Sequence, residues 1–196
     1  MFVLLSCLCG ALPYRYPGIK WGRKDAVINV EVYVDPLCPD CLAIWPTVQT
    51  VMDKFPLQVN VTLIPMNLPY HTWSFYVVRG CYALYGYDNE LGRNFMDALF
   101  KGEQNQFSNS ALSEVPESSM AAKILNYICN KYSIKYEDLL AKWNDTHLAN
   151  LASTGLGFAG AHGVDGTPTV FINGVMTDID QDTPVSTWVS VIQDLL

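Results

Sequence analysis

Residues 28–41 read INVEVYVDPLCPDC. In the first half Ile28, Val30, Val32 and Val34 alternate with Asn29, Glu31, Tyr33 and Asp35. Alternation with period two predicts a strand, here with one strongly apolar face. In the second half Cys38 and Cys41 enclose Pro39 and Asp40. Beyond them Cys41, Ile44, Trp45, Val48, Met52 and Phe55 recur at helical spacing. Pro39 suits a first helical turn, where its missing N–H costs nothing. Pro46 falls inside the same helix, where proline removes a backbone bond, yet the apolar pattern runs on to Phe55. From Leu57 to Pro65, Val59, Val61 and Leu63 alternate with Gln58, Asn60 and Thr62, a second strand. Strand, helix and strand in this order form a βαβ unit, which implies parallel pairing and a right-handed crossover.

The two cysteines have a physical logic at this junction. A helix N-terminus offers unpaired N–H groups and the positive end of the dipole, both favourable to an anion. Cys38 placed there becomes a thiolate nucleophile. Cys41, one turn on and on the apolar face, becomes the buried resolving thiol. Half of a zinc site is the first alternative. It needs a second ligand pair, and Cys81, Cys129 and the three histidines are scattered singly. A purely structural disulfide is the other alternative, in an odd place for a staple.

Outward from this unit, residues 14–25 read as a polar lead-in. The strand signal vanishes from about residue 70 to 163, and helices are predicted over 72–87, 89–101, 117–131, 136–143 and 146–162. The last contains Gly155, Gly157 and Gly160, which predicts close packing or a break. Gly166-Thr167-Pro168-Thr169-Val170-Phe171-Ile172-Asn173-Gly174 follows. Pro168 opens a strand, a position where proline is tolerated. Asn173-Gly174 is a hairpin turn signal, with Val175-Met176-Thr177 as the returning strand. Residues 184–196 close with an amphipathic helix carrying Val185, Trp188, Val189, Ile192 and Leu195 or Leu196 on one face.

Taken together, these residues resemble the DsbA-like branch of the thioredoxin superfamily. The resemblance rests on Asp35-Pro36-Leu37-Cys38-Pro39-Asp40-Cys41, on Pro46, and on Gly163-Val164-Asp165-Gly166-Thr167-Pro168-Thr169. It covers nearly all of the chain after about residue 24. It implies an α/β, thioredoxin-like fold with an inserted all-helical subdomain. The thioredoxin-like part comprises residues 24–68 and 164–196, and the insertion residues 69–163. It implies that Thr167-Pro168 is cis and lies against the cysteines, that the Thr167 backbone pairs with an extended substrate, and that Pro39 and Asp40 border that substrate. Cys38, Cys41 and Pro168 are then the catalytic set, with Cys38 forming a mixed disulfide that Cys41 resolves. The chain departs from the branch at two places. Val32 stands where many members have a buried carboxylate, with Glu31 and Asp35 on the opposite face by strand parity. Asp40 stands where the bacterial oxidase has a histidine.

The implied activity is thiol–disulfide exchange on protein or peptide substrates, with no metal or cofactor and with a redox partner that the sequence does not identify. Two other readings use the same fold: a glutathione-using transferase or isomerase, and a non-catalytic chaperone or binding module. The net charge is −7 over 196 residues, with no Lys/Arg run and no glycine-rich phosphate loop. That argues against nucleic acid or an anionic membrane as the main partner. Residues 1–12 read as a signal peptide, an apolar stretch too short to span a bilayer. The sequons at Asn60 and Asn144 point the same way, to a lumenal or extracellular protein. Of six cysteines, Cys7 and Cys9 leave with the signal. Cys81 and Cys129, both on predicted helices, either bridge the insertion or pack as free thiols. His162 either approaches the Pro168 loop or caps a helix C-terminus, the reading favoured here. His71 reads as a loop or helix-start residue, and Trp73, Phe75 and Tyr76 as core or as a groove lining.

Overall fold

The structure is a computed structural model and describes residues 16–196. The segment read as a signal peptide lies outside the described residues, as do Cys7 and Cys9. Five strands form one sheet: β1 (Ile19–Gly22), β2 (Ile28–Val34), β3 (Val59–Pro65), β4 (Thr169–Ile172) and β5 (Val175–Met176). Their order across the sheet is β1-β3-β2-β4-β5. Only β2 and β3 run parallel; the other pairings are antiparallel. Helix α1 (Pro39–Lys54) makes the crossover between β2 and β3. Five helices then follow before β4: α2 (Ser74–Tyr87), α3 (Asn89–Leu99), α4 (Met120–Tyr132), α5 (Tyr136–Trp143) and α6 (Thr146–Ala161). Short 3-10 turns at Glu103–Phe107 and Glu117–Ser119 link α3 to α4. Helix α7 (Val185–Asp194) closes the chain and packs on α1 through its buried Trp188 and Ile192. This is a thioredoxin-like sheet with a helical insertion between its third and fourth strands.

Several local outcomes differ from the sequence pattern. The lead-in holds an edge strand: Ile19 is fully buried, and β1 pairs with β3 from Ile19↔Leu63 to Gly22↔Asn60. Four residues flanked by glycines are too short to show a period. The C-terminal half of β2 is buried on both faces rather than one, because α6 covers the second face. There Tyr33 stacks on Phe158 at 6.2 Å between centroids. Helix α1 runs through Pro46 unbroken, with Ile44, Trp45, Val48 and Val51 buried. Burial outweighs the one hydrogen bond that Pro46 withholds. Helix α6 also survives its glycines. At Gly155 a Cβ would collide with the Pro65 carbonyl, so this is close packing, whereas Gly157 and Gly160 face open space. Asn173 (φ 50°) and Gly174 (φ 80°) are both left-handed, as the tight hairpin between β4 and β5 requires.

Candidate active site

Parallel pairing brings the C-terminal end of β2 and the N-terminus of α1 together, and β4 lies beside β2. Cys38 is the N-cap residue of α1, with Pro39 in the first turn. Its N–H donates to the Asp35 carbonyl at 3.0 Å. Its sulfur lies 3.3 Å from the carbonyl oxygen of Thr167, within hydrogen-bond reach. The Thr167-Pro168 peptide is cis. The loop before β4 and the start of α1 therefore meet at one sulfur, 129 residues apart in sequence.

The two thiols differ sharply in charge preference. The Cys38 pKa is lowered to about 6, chiefly because the Cys41 thiol donates to its thiolate. Burial opposes this, while the Thr167 side chain and the N–H groups of Cys41 and Asp40 assist it. Cys41 is pushed well up, mainly by burial and then by the neighbouring Cys38. The Thr167 side chain and the Asp35 N–H act the other way. The Thr167 hydroxyl is buried and has no hydrogen-bond partner. The result is one thiol poised to ionise and one held neutral.

Pro39 and Asp40 are exposed on the rim. His162 caps α6: its Nδ1–H donates to the Phe158 carbonyl at 2.8 Å, and its ring packs on Phe158. Trp73 is core. Cys81 and Cys129 are free, buried thiols, so no bridge joins them. Burial raises both thiols, and Cys129 also faces the Glu137 carboxylate of α5. Asn144 is exposed at the C-cap of α5, whereas Asn60 is half-buried in β3 between β1 and β2.

Asp35 does not follow the parity of β2. Strand β2 ends at Val34, so the chain has already turned when it reaches Asp35. Its carboxylate is fully buried and accepts four hydrogen bonds, from Leu37 N–H, Leu68 N–H, the Ser74 hydroxyl and His71 Nδ1–H. Three of these partners lie more than thirty residues away in sequence. The short Asp-Pro turn before Cys38 was the one available sign that the strand rule had stopped applying. Tyr70, between two of those partners, is 64% exposed. Its phenol is held above its ordinary pKa by partial burial and by the charges of Cys38, Asp35, Asp40 and Cys41.

A family-wide sequence profile described as thioredoxin matches residues 16–194. Solved structures share the fold. A protein from Pseudomonas syringae described as a putative protein-disulfide isomerase superposes with TM-score 0.75 at 21% identity, covering 89% of this chain and 97% of its own. The thiol-disulfide exchange protein α-DsbA2 from Wolbachia pipientis gives 0.70 at 15%, covering 91% and 87%. Oxidised BdbD from Bacillus subtilis gives 0.69 at 17%, covering 91% and 92%. A search of curated proteins found no match.

Proposed function

The chain belongs to the thioredoxin family, and from that premise we propose that it is a thiol–disulfide oxidoreductase acting on protein or peptide substrates through Cys38 and Cys41. The observation that carries this reading is the geometry at the start of α1: Cys38 is its N-cap residue, the Thr167 carbonyl oxygen lies 3.3 Å from the Cys38 sulfur, and Cys41 is buried one turn on; that setting lowers the Cys38 thiol to about 6 and pushes the Cys41 thiol up. The Cys38 thiolate attacks one sulfur of a substrate disulfide. The S–S bond breaks, its other sulfur leaves as a thiolate, and a mixed disulfide with Cys38 forms. Cys41 then gives up its proton and attacks the Cys38 sulfur. The second substrate thiol departs and the Cys38–Cys41 disulfide is left behind. Two electrons have passed to the substrate; the same steps in reverse oxidise one. The main chain of Thr167, ending at the sulfur of Cys38, is the strand edge against which an extended substrate segment aligns, bordered by Pro39 and Asp40.

We place this chemistry in a lumenal or extracellular setting. The exposed sequon at Asn144 supports it, whereas the half-buried Asn60 leaves little room for a glycan. Among the described residues no helix is long and apolar enough to cross a membrane. The deciding experiment is insulin reduction by the full chain and by Cys38→Ser. Turnover that disappears in the variant supports the assignment. No turnover in either protein points instead to a binding module, and tight glutathione binding without insulin turnover to a glutathione-dependent enzyme.

A further inference from the structure

Strands β2 and β3 run parallel and end level, with Val34 opposite Pro65, so the chain leaves both at the same end of the sheet. After β2 it turns into Cys38 and Asp40; after β3 it turns at Tyr70. There the Leu68 carbonyl accepts from His71 N–H at 3.2 Å, closing a tight turn with Pro69 and Tyr70 at its exposed tip. Proline in the second position presets the backbone that such a turn needs.

Two clasps hold this tip. From inside, Oδ2 of buried Asp35 accepts from Leu68 N–H at 2.7 Å and from His71 Nδ1–H at 2.9 Å. The other oxygen of that carboxylate accepts at 2.8 Å from the N–H of Leu37, the residue before Cys38. One carboxylate thus ties the tip to the turn that opens α1. From outside, the Asn109 side-chain amide takes both sides of His71: it donates to the Tyr70 carbonyl at 2.8 Å and accepts from Thr72 N–H at 3.0 Å. The His71 ring meets the Tyr70 ring edge-on at 4.7 Å. Tyr70 is therefore fixed at its backbone yet 64% exposed. A ring presented in this way offers contact area to a ligand at a low ordering cost.

The surroundings of this ring are negative. Burial, and then the charges of Cys38, Asp35, Asp40 and Cys41, raise its phenol pKa. Asp40 is exposed in the first turn of α1, where its N–H supports the Cys38 thiolate. Among the described residues no lysine or arginine pairs with its carboxylate. An open aromatic ring and an unpaired carboxylate at one end of the sheet both favour a cation.

We propose that Tyr70 is a specificity-determining residue, which with Asp40 forms a subsite for a lysine or arginine flanking the reacting cysteine of the substrate. This rests on the thiol-exchange reading above and names the class of peptide that the same site prefers.

The test mixes the reduced full chain with short peptides whose single cysteine is capped by thionitrobenzoate and flanked by lysine or by glutamine. The Cys38 thiolate attacks the peptide sulfur, the S–S bond breaks, and thionitrobenzoate leaves as a coloured thiolate. Cys41 then gives up its proton, attacks the Cys38 sulfur and releases the peptide thiol, leaving the Cys38–Cys41 disulfide. Dividing each rate by that of the same peptide with mercaptoethanol removes the peptides' own reactivity. Wild type is expected to take the lysine peptide about three- to ten-fold faster. Tyr70→Phe keeps the ring and should keep the preference, whereas Tyr70→Ala should lose most of it. The preference is a ratio of two peptides on one thiol, so any change in the thiol itself cancels. Equal rates in wild type overturn the inference. So does a preference undiminished in Tyr70→Ala, or one lost as fully in Tyr70→Phe. Exchange with both peptides but no preference overturns the subsite alone; exchange with neither overturns the enzymatic reading and the subsite with it.

Discussion

A thiol that ionises near pH 6 is half thiolate there and nearly all thiolate at neutrality. Alkylation of reduced protein should therefore rise through a midpoint near pH 6 and level off by about pH 7.5; a midpoint near the unperturbed ~8.5 contradicts the site. Two side chains should move that midpoint in opposite directions. Thr167→Val removes a hydroxyl that supports both sulfurs as anions. The midpoint should rise, while stability stays level or gains up to about 1 kcal/mol, because a buried hydroxyl with no hydrogen-bond partner gives way to an isosteric methyl. Lower reactivity together with lower stability would mean that the hydroxyl holds the loop instead. Asp40→His removes a like charge from the loop and keeps the backbone N–H that serves the thiolate. The midpoint should fall. A more stable thiolate is a more stable reduced form, so the couple should become more oxidising against glutathione buffers. An unchanged or more reducing couple sinks the argument. Cys38, Cys41 and the Thr167-Pro168 step were legible in the sequence because each sits in a short local motif. Asp35 and His71 were not, because their partnership closes across 36 positions and no local period reports it.

The individual helices were readable from their runs of apolar residues. Helix α5 matches its expected bounds, and α2 and α6 nearly do, although of these three α6 alone has a side-chain N-cap, from Asp145. Strand β1 was hidden, since a single buried residue, Ile19, sets its face. The open question of Cys81 and Cys129 also lay beyond local signals: both are apolar positions on helices, and only packing decides whether two such sulfurs meet. Pro46 is the element-scale oddity. It sits on the exposed side of α1, inside a helix whose other face is anchored by Trp45 and Val48. Its cost lies in the backbone, not in the core. Pro46→Ala restores an N–H donor to the helix ladder and should raise stability by about 1 kcal/mol or more. Cys38 lies two turns away and should keep its alkylation midpoint. A loss of stability measured by urea unfolding would show that the core depends on a bend at Pro46.

At the scale of the whole chain, the insertion and the sheet bury one continuous apolar cluster, from Ile28 and Val61 in the sheet to Phe95 and Ile128 in the helices. The division into residues 24–68 with 164–196 and residues 69–163 describes the order of elements along the chain; it is proposed here as topology, not as independent folding. Polar ties join the insertion to the rest of the chain as well. The Tyr82 hydroxyl of α2 donates to the Pro17 carbonyl. Asp97 of α3 accepts from Trp45 Nε1–H and Gln49 Nε2–H of α1, each at 2.8 Å, while its other oxygen pairs with Lys101. These ties could not be read from sequence, because Asp97 looks like any polar residue on the outer face of a helix. Asp97→Ala strips the partner from an indole N–H on a tryptophan that is 2% exposed, and a donor left unpaired at such a site costs about 1–3 kcal/mol. The surface pair with Lys101 adds little to that, since the lysine side chain is more than half exposed. If sheet and insertion fold as one unit, the loss should shift a single transition, with tryptophan fluorescence and far-ultraviolet dichroism moving together in urea. The alkylation midpoint of Cys38 should stay near pH 6, because the lost bond lies on the side chain one turn beyond Cys41. Two separated transitions in the variant would instead mean that Asp97 is what joins two otherwise independent bodies.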